Sequence, residues 1–236
     1  MSSEVTRRVH DVIATHGAEA VIGVLGPLLT AERKARIDAV LAARLASVVA
    51  VMQDTYDPHN ASAAIRTSEA LGLAALHVIE PSAAFTAKGI TRGSHAWIDV
   101  RHWPSPAACA DALRAGGARV YATLPGAPDD LETVPVDRPV AVMFGNEHAG
   151  LNAEAVAACD GAISIPMFGF SESFNVSVSV ALVTSRLAAR RRALLGTTGD
   201  LTAAQQTTLR AAWYAAKLPA AAGILERAFG VPARAP

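Results

Sequence analysis

Residues 162–183 contain a change of hydrophobic period that limits the possible folds of this chain. A short apolar run ends at Pro166, and a polar loop containing Ser173 and Asn175 follows it. Beyond Asn175 the apolar residues recur at helical spacing, and they are Val176, Val180, Val183 and Leu187. The stretch therefore predicts a strand, a tight loop and a helix, with Asn175 or Ser173 as the N-cap.

This predicted helix carries a second apolar stripe. Val178 and Leu182 lie on a different face from the first stripe, so one packing surface cannot cover both. Many of its residues are β-branched or carry hydroxyl groups and form helices only moderately well, so packing must stabilise it. We expect the helix to be buried on two sides.

From Ala46 onward, short apolar runs alternate with helical segments. This alternation predicts an α/β fold, in which a parallel sheet is covered by helices on both faces. The predicted strands are 47–52, 76–80, 97–100, 119–124, 139–144 and 162–165, and the predicted helices include 61–71, 106–115 and 152–159. Pro58 is expected to delay the first of these helices, and 81–95 is expected to be a long loop.

The regions flanking the sheet are predicted to be helical. A first helix should end at Gly17, and a second should begin after Thr30 and run to about Arg44, with a break at Gly23, Gly26 and Pro27. The predicted organisation is an N-terminal helical arm (1–45), a sheet domain (46–195) and a basic C-terminal helical tail (196–236). The arm either caps the core or grips RNA.

Charge and composition narrow the classes of function. The chain is neutral overall, but residues 186–236 carry a net charge of +6. Such a tail suits phosphates, or simply places arginines at the negative end of a helix dipole. The two cysteines, Cys109 and Cys159, are too few for a disulfide scaffold. So few cysteines are typical of a cytoplasmic protein, and no apolar run is long enough for a membrane span. We also expect no metal, because His148 lacks partners at metal-ligand spacing.

Three sets of polar residues follow predicted strands, where ligands of parallel sheets gather. Asn60 and Arg66 flank a helix start, and a guanidinium there suits a phosphate. Glu147 lies in a glycine-bearing loop and is free to accept from a ligand or from Arg66. Ser173 and Asn175 complete the set. Each set also has a structural reading, as helix caps or exposed polar groups.

The common signatures of dinucleotide enzymes, NTPases, zinc proteases and serine hydrolases are missing from the sequence. It contains no G-x-G-x-x-G, P-loop, H-E-x-x-H or G-x-S-x-G motif. Its glycine-bearing loops instead allow a ligand to approach backbone groups closely, which suits a flat polar heterocycle.

Three segments together resemble a known family: NASAAIRTSEALG (60–72), FGNEHAGL (144–151) and IPMFGFSESFNVSVSVAL (165–182). They are similar to the ordered motifs of the SpoU or TrmH family of RNA 2′-O-ribose methyltransferases, within the SPOUT superfamily. Residues 32–67 and 91–103 resemble the branch that methylates guanosine 18 in the tRNA D-loop. The resemblance covers nearly all of the chain from about residue 30.

This resemblance implies a C-terminal deep trefoil knot, a homodimer, a tRNA partner and S-adenosylmethionine (AdoMet) as cofactor. By motif position, Arg66 activates the ribose hydroxyl, and Asn60, Glu147, Ser173 and Asn175 shape the site around it. The implied cofactor-binding residues are Phe144, Gly145, Asn146, Ile165, Met167, Ser173 and Phe174. Phe174 stands where the family usually has leucine.

Other functions stay open at this point. A ribosomal RNA target is the alternative within the same chemistry. An RNA-binding protein without activity and a small-molecule methyltransferase on another fold are alternatives from other classes. The intact polar residues disfavour the first of these, and the missing glycine fingerprint disfavours the second.

Overall fold

The computed structural model describes residues 3–54, 57–80 and 96–230, so the predicted loop 81–95 lies outside the described residues. The chain folds into two compact units. One unit comprises residues 45–198, and the other comprises residues 1–44 with 199–236.

The unit 45–198 is built on a seven-stranded sheet with the order β3-β2-β1-β6-β4-β7-β5. Every strand pair described in it is parallel. The strands are β1 (Val48–Gln53), β2 (Ala75–Ile79), β3 (Asp99–Trp103), β4 (Arg119–Thr123), β5 (Asp129–Asp130), β6 (Val140–Phe144) and β7 (Gly161–Ser164). The predicted α/β fold with a parallel sheet is confirmed.

Both faces of the sheet are covered. Alternate residues of β1 enter two different cores, with Ala50 and Met52 in one and Val49 and Val51 in the other. The first core is covered by α4 (Pro58–Ala70) and α7 (Val176–Leu195), and the second by α5 (Pro106–Ala115) and α6 (Ala153–Ala157). This packing explains why β1 reads as a continuous apolar run until its last residue.

The helix starts show which local signals were interpreted correctly. Thr30 and Asn175 are N-caps, as predicted, and each accepts from backbone N–H groups of the first turn. The expectation that Pro58 delays its helix was wrong, because α4 begins at Pro58 with Asp57 as its N-cap. Proline is well suited to the first helical position, where its missing N–H has no helical partner to lose. Asn60 therefore lies in the first turn.

A short strand was also missed. β5 (Asp129–Asp130) is not among the predicted strands, and it pairs with β7 at the sheet edge. Two residues carry too little periodicity to indicate a strand. Only the partner strand defines it.

The other unit consists of helices within the described residues. They are α1 (Ser3–His16), α2 (Ala18–Leu25), a short 3-10 turn (Gly26–Leu28), α3 (Ala31–Ala42), α8 (Ala203–Lys217) and α9 (Ala221–Phe229). The expected break at Gly23 does not occur, because α2 continues through it with Val21 and Leu25 fully buried. The Arg44 guanidinium lies 5.1 Å from the ring centre of the buried Trp213. None of the described helices is both long and apolar enough to cross a membrane.

Candidate active site

Three predicted site residues are joined directly by hydrogen bonds. The Asn60 side-chain amide donates to Glu147 Oε1 at 2.6 Å, and Asn60 Oδ1 accepts from Asn175 Nδ2 at 3.0 Å. Asn175 Oδ1 in turn accepts from the backbone N–H and the hydroxyl of Ser177, as the N-cap of α7. The trio therefore connects α4, the loop after β6 and the start of α7, and fixes both amides in one orientation.

Asn60 and Glu147, two members of the trio, line an open hollow of about 380 Å³. Its lining residues are Asp57, Pro58, Asn60, Glu147 and His148. The hollow lies where β1 and β6, two neighbouring parallel strands, end, and ligands of parallel sheets bind at such an edge. Asn60 of the first polar set and Glu147 of the second thus meet at one place.

Arg66 is placed differently from the trio. It lies six positions after Asn60 on α4, which is more than one and a half turns away, and its side chain is exposed. Within the described part of the chain it forms no hydrogen bond or ion pair, and Glu147 accepts from Asn60 instead. Its guanidinium is therefore available to a group from outside this chain.

The loop between β7 and α7 is unusually open. Over 167–174, in the region that the structure describes, neither backbone nor side chains make a hydrogen bond within the chain. The side chains of Phe168 and Phe170 are 99% and 106% exposed. Ser173, predicted to belong to the site, is exposed in this loop. Unpaired peptide groups beside exposed aromatic rings are typical of a binding segment.

Most of the remaining predicted cofactor residues are buried or half-buried, and one of them, Asn146, is engaged within its own loop. Phe144 is buried in the sheet core, and Ile165, Met167 and Gly145 are half-buried at the strand ends. Asn146 already uses both ends of its side chain: Oδ1 accepts from the N–H groups of His148 and Ala149, and Nδ2 donates to the Asp54 carbonyl. Asn146 therefore shapes its own loop.

Two residues that the sequence did not single out are part of this arrangement. Gln53, the last residue of β1, is 2% exposed, and its Oε1 accepts from the Asn152 N–H at 3.1 Å. Asp54 follows with a φ of 48°, and burial raises the pKa of its carboxyl. The signal for Gln53 is a polar residue that ends an all-apolar strand, which a loop boundary explains equally well.

The basic residues near the end of α7 make bonds within their own unit. Arg190 donates to the carbonyls of Leu131 and Val134, and the buried Arg191 donates to Val136 O and Ser47 Oγ. Two further arginines have partners as well, with Arg186 paired to Glu132 and Arg192 donating to Leu71 O and Thr198 O. Arg190, Arg191 and Arg192 thus stabilise the fold through bonds to carbonyl and hydroxyl groups, whereas the Arg186 pair is exposed. Neither reading of the basic tail anticipated this structural role.

Groups of histidine, cysteine, aspartate and glutamate that could hold a metal ion are not found among the described residues. Burial raises the pKa of both cysteine thiols to about 12, which keeps them protonated and unreactive. The polar groups described at the site are amides, one carboxylate, hydroxyls and an arginine.

Residues 47–185 match the model of the SpoU rRNA Methylase family. The tRNA (guanosine(18)-2′-O)-methyltransferase of Borreliella burgdorferi is 40% identical over 173 residues, which cover 72% of this chain and 79% of that protein. The residues matched by the family model include the trio, Arg66 and the open loop.

Two solved structures are similar to this one. The Aquifex aeolicus TrmH/SpoU tRNA modifying enzyme superposes with a TM-score of 0.71 at 26% identity, over 79% of this chain and 97% of that chain. The SpoU methyltransferase AviRb from Streptomyces viridochromogenes, in complex with the cofactor AdoMet, superposes with a TM-score of 0.55 at 26% identity. That match covers 61% of this chain and 57% of the other.

Proposed function

The chain belongs to the SpoU rRNA Methylase family, and on that premise we propose that it transfers a methyl group from AdoMet to a ribose 2′-hydroxyl of RNA. The proposed substrate is guanosine 18 of tRNA, which is the nucleotide in the name of the Borreliella burgdorferi relative. The observation that carries the proposal is the hydrogen-bonded trio of Asn60, Glu147 and Asn175 at the carboxyl edge of the sheet. A tRNA substrate favours a cytoplasmic location.

The residues at this edge fit AdoMet. Unpaired peptide groups over 167–174 can read the edges of a flat polar base. The half-buried side chains of Ile165 and Met167 supply apolar contact, and the carboxylate of Glu147 suits a cationic sulfonium. We assign cofactor binding to these groups with Phe144, Gly145, Ser173 and Phe174, and Asn146 acts by holding the loop.

When bound, AdoMet would supply its methyl group to the ribose 2′-oxygen, with the S–CH3 bond breaking and the neutral thioether as the leaving group. This chain contributes orientation, since groups held in line react as if at very high concentration. Asn60 and Asn175 cannot rotate without breaking their bonds to Glu147 and to the first turn of α7. The polar groups of the trio are thus pre-organised, and their side chains need not rearrange during methyl transfer.

Arg66 is assigned to the RNA. An arginine does not give up its proton in a protein, so Arg66 does not act as the general base. Its exposed guanidinium instead holds a phosphate next to the target ribose and stabilises negative charge that develops on the 2′-oxygen. The proton leaves to that phosphate or to water.

The Arg66→Lys variant tests this role. Lysine keeps the charge but loses the planar fork, so kcat should fall by about tenfold or more, with little change in AdoMet affinity. Single-turnover methylation and calorimetric AdoMet binding measure the two quantities. Arg138→Lys, on an exposed arginine that pairs only with the neighbouring Asp137 in the described chain, is the control. Normal turnover of Arg66→Lys contradicts the role of the fork.

The function itself is tested by transfer of labelled methyl to an unmodified tRNA transcript. The same transcript with 2′-deoxyguanosine at position 18 is the matched control. Methylation of the first transcript alone supports both the chemistry and the site. Equal methylation of both moves the target to another nucleotide.

Ribosomal RNA is the second candidate substrate, because the matching family model is described as an rRNA methylase. A ribosomal RNA fragment mixture forms the third arm of the same assay. Label in this arm alone selects the second candidate. Label in none of the arms contradicts the proposed activity and favours an RNA-binding protein without activity.

We also propose that the protein works as a homodimer. Phe174, Val178 and Leu182 are 41%, 44% and 42% exposed in the single chain. The two on α7 form the second apolar stripe of that helix, and an apolar stripe of this kind is expected to be covered by a partner. An identical chain is the partner that the family resemblance favours.

The deep trefoil knot is proposed for the C-terminal part of the sheet unit. Arg190 and Arg191 bind carbonyls of residues 131–136, so the segment between β5 and β6 lies against α7. A helix threaded through that segment needs such contacts along its length. They support the knot.

A further inference from the structure

The loop after β6 is a closed turn that carries Glu147. Asn146 and Gly150 exchange two backbone hydrogen bonds of 3.0 and 2.9 Å, and Asn146 Oδ1 fills the interior of the turn. A Cβ atom at Gly145 would lie 2.1 Å from the Gly150 carbonyl carbon, so backbone packs on backbone at the entry. These contacts hold the turn closed from within.

A turn that is rigid by itself still needs an anchor to the sheet. Two side-chain bonds described here supply it, and both run to the end of β1. Asn146 Nδ2 donates to Asp54 O at 2.6 Å, and the Asn152 N–H donates to Gln53 Oε1 at 3.1 Å. The anchors lie at the two ends of the segment 146–152, on either side of Glu147.

The end of β1 is shaped for these two bonds. Asp54 is the single non-glycine residue with positive φ among those described, a conformation that is rare for such residues. The Asp54 N–H donates to Ile79 O at 3.1 Å, which ties this backbone to β2. Gln53 is buried at the end of a strand that is otherwise apolar, where a polar group needs a bonded partner.

We propose that Gln53 and Asp54 are positioning residues for the proposed methyl transfer. They fix the turn 146–152 so that Glu147 meets Asn60 at the required distance. Neither touches the reacting atoms. The expected loss of rate rests on the proposed function. The anchoring of the turn 146–152, by contrast, can be measured without any activity.

The Gln53→Met variant removes the acceptor at nearly constant side-chain length. Displacement of positioned groups such as the trio by about 1 Å can lower the rate by up to about 100-fold. We therefore expect kcat to fall about tenfold, whereas the KM for AdoMet should change by less than about threefold. Ser68→Ala, which removes a fully buried hydroxyl of the same unit, is the control and should leave both unchanged.

A double-mutant cycle separates positioning from general damage. If Gln53 acts only through Glu147, Gln53→Met should lower single-turnover rates in the native background but not in Glu147→Ala. An equal rate loss in both backgrounds overturns the proposal. A wild-type chain that transfers no methyl group at all refutes the proposed function instead.

Amide hydrogen exchange tests whether Gln53 fixes the turn 146–152, and this test does not depend on methyl transfer. Amides of 146–152 should exchange at least about tenfold faster in Gln53→Met than in the wild type, while amides of α5 stay unchanged. Unchanged exchange over 146–152 overturns the inference, whatever the activity.

Discussion

The two halves of α7 differ in which residues they expose and bury: apolar side chains are exposed in the first half, and a charged side chain is buried in the second. In the first half, Val178 and Leu182 are 44% and 42% exposed. In the second half, Arg191 is 8% exposed and donates to Val136 O and Ser47 Oγ. One helix therefore presents apolar side chains outward and a charged side chain inward.

This difference shows that the type of residue does not decide its environment. A guanidinium is stable inside when carbonyl and hydroxyl groups satisfy its N–H donors. An exposed apolar stripe, by contrast, indicates a surface that another molecule covers. In the proposed dimer a partner covers the stripe in the first half of α7, whereas the Arg191 guanidinium of the second half is already satisfied within the single chain.

The largest effect is expected from Leu182→Glu in the first half. A carboxylate in the apolar interface of the proposed dimer loses its hydration without a partner. The Kd of that proposed dimer should therefore rise by about 1000-fold, which corresponds to about 4 kcal/mol. Sedimentation equilibrium measures the change.

Leu194→Glu is the matched control, because Leu194 is an exposed leucine of the same helix at 58% exposure, on another side. It should leave the dimer intact. A dimer that tolerates Leu182→Glu as well as Leu194→Glu would remove this stripe from the interface.

A smaller effect is expected from Arg191→Ala in the second half. The change leaves a carbonyl and a hydroxyl without their donor, at a cost of about 3 kcal/mol in the free energy of unfolding. Urea unfolding measures it. Arg186→Ala, which breaks an exposed pair with Glu132, should cost less than about 1 kcal/mol. Equal costs would mean that burial of the guanidinium does not matter.

If the arginines of α7 are engaged internally, RNA affinity has to come from other cations. On α3, Arg33 and Arg36 lie toward the surface, and their side chains make no hydrogen bond or ion pair within the described residues. The double variant Arg33→Gln, Arg36→Gln should weaken tRNA binding about tenfold and reduce the salt slope by about 1.5. Stability should change by less than about 0.5 kcal/mol.

Filter binding over a range of salt concentrations measures this last effect. Arg101→Gln is the control, because Arg101 is exposed but pairs with Asp99. An unchanged salt slope in the α3 variant would exclude this helix from the RNA surface. A smaller salt dependence of tRNA affinity in Arg186→Ala would indicate that α7 contacts RNA.

Local chemistry made much of the fold predictable. Apolar runs, glycines and N-cap residues predicted the parallel sheet, the helix 106–115 and the caps Thr30 and Asn175. The same reasoning failed at Pro58, where one residue type suits both a loop and the first turn of a helix. It also failed at Gly23, where burial of its neighbours outweighs a weak propensity.

Strand ends and motif order are local properties, so Asn60, Glu147 and Asn175 could be assigned to the carboxyl edge of the sheet from the sequence alone. Their hydrogen-bond partners could not be assigned in this way. Asn60 bonds across 87 positions to Glu147 and across 115 to Asn175, and Gln53 anchors a loop that follows a different strand. Such bonds depend on which strands become neighbours, and residue spacing along the chain does not carry that information.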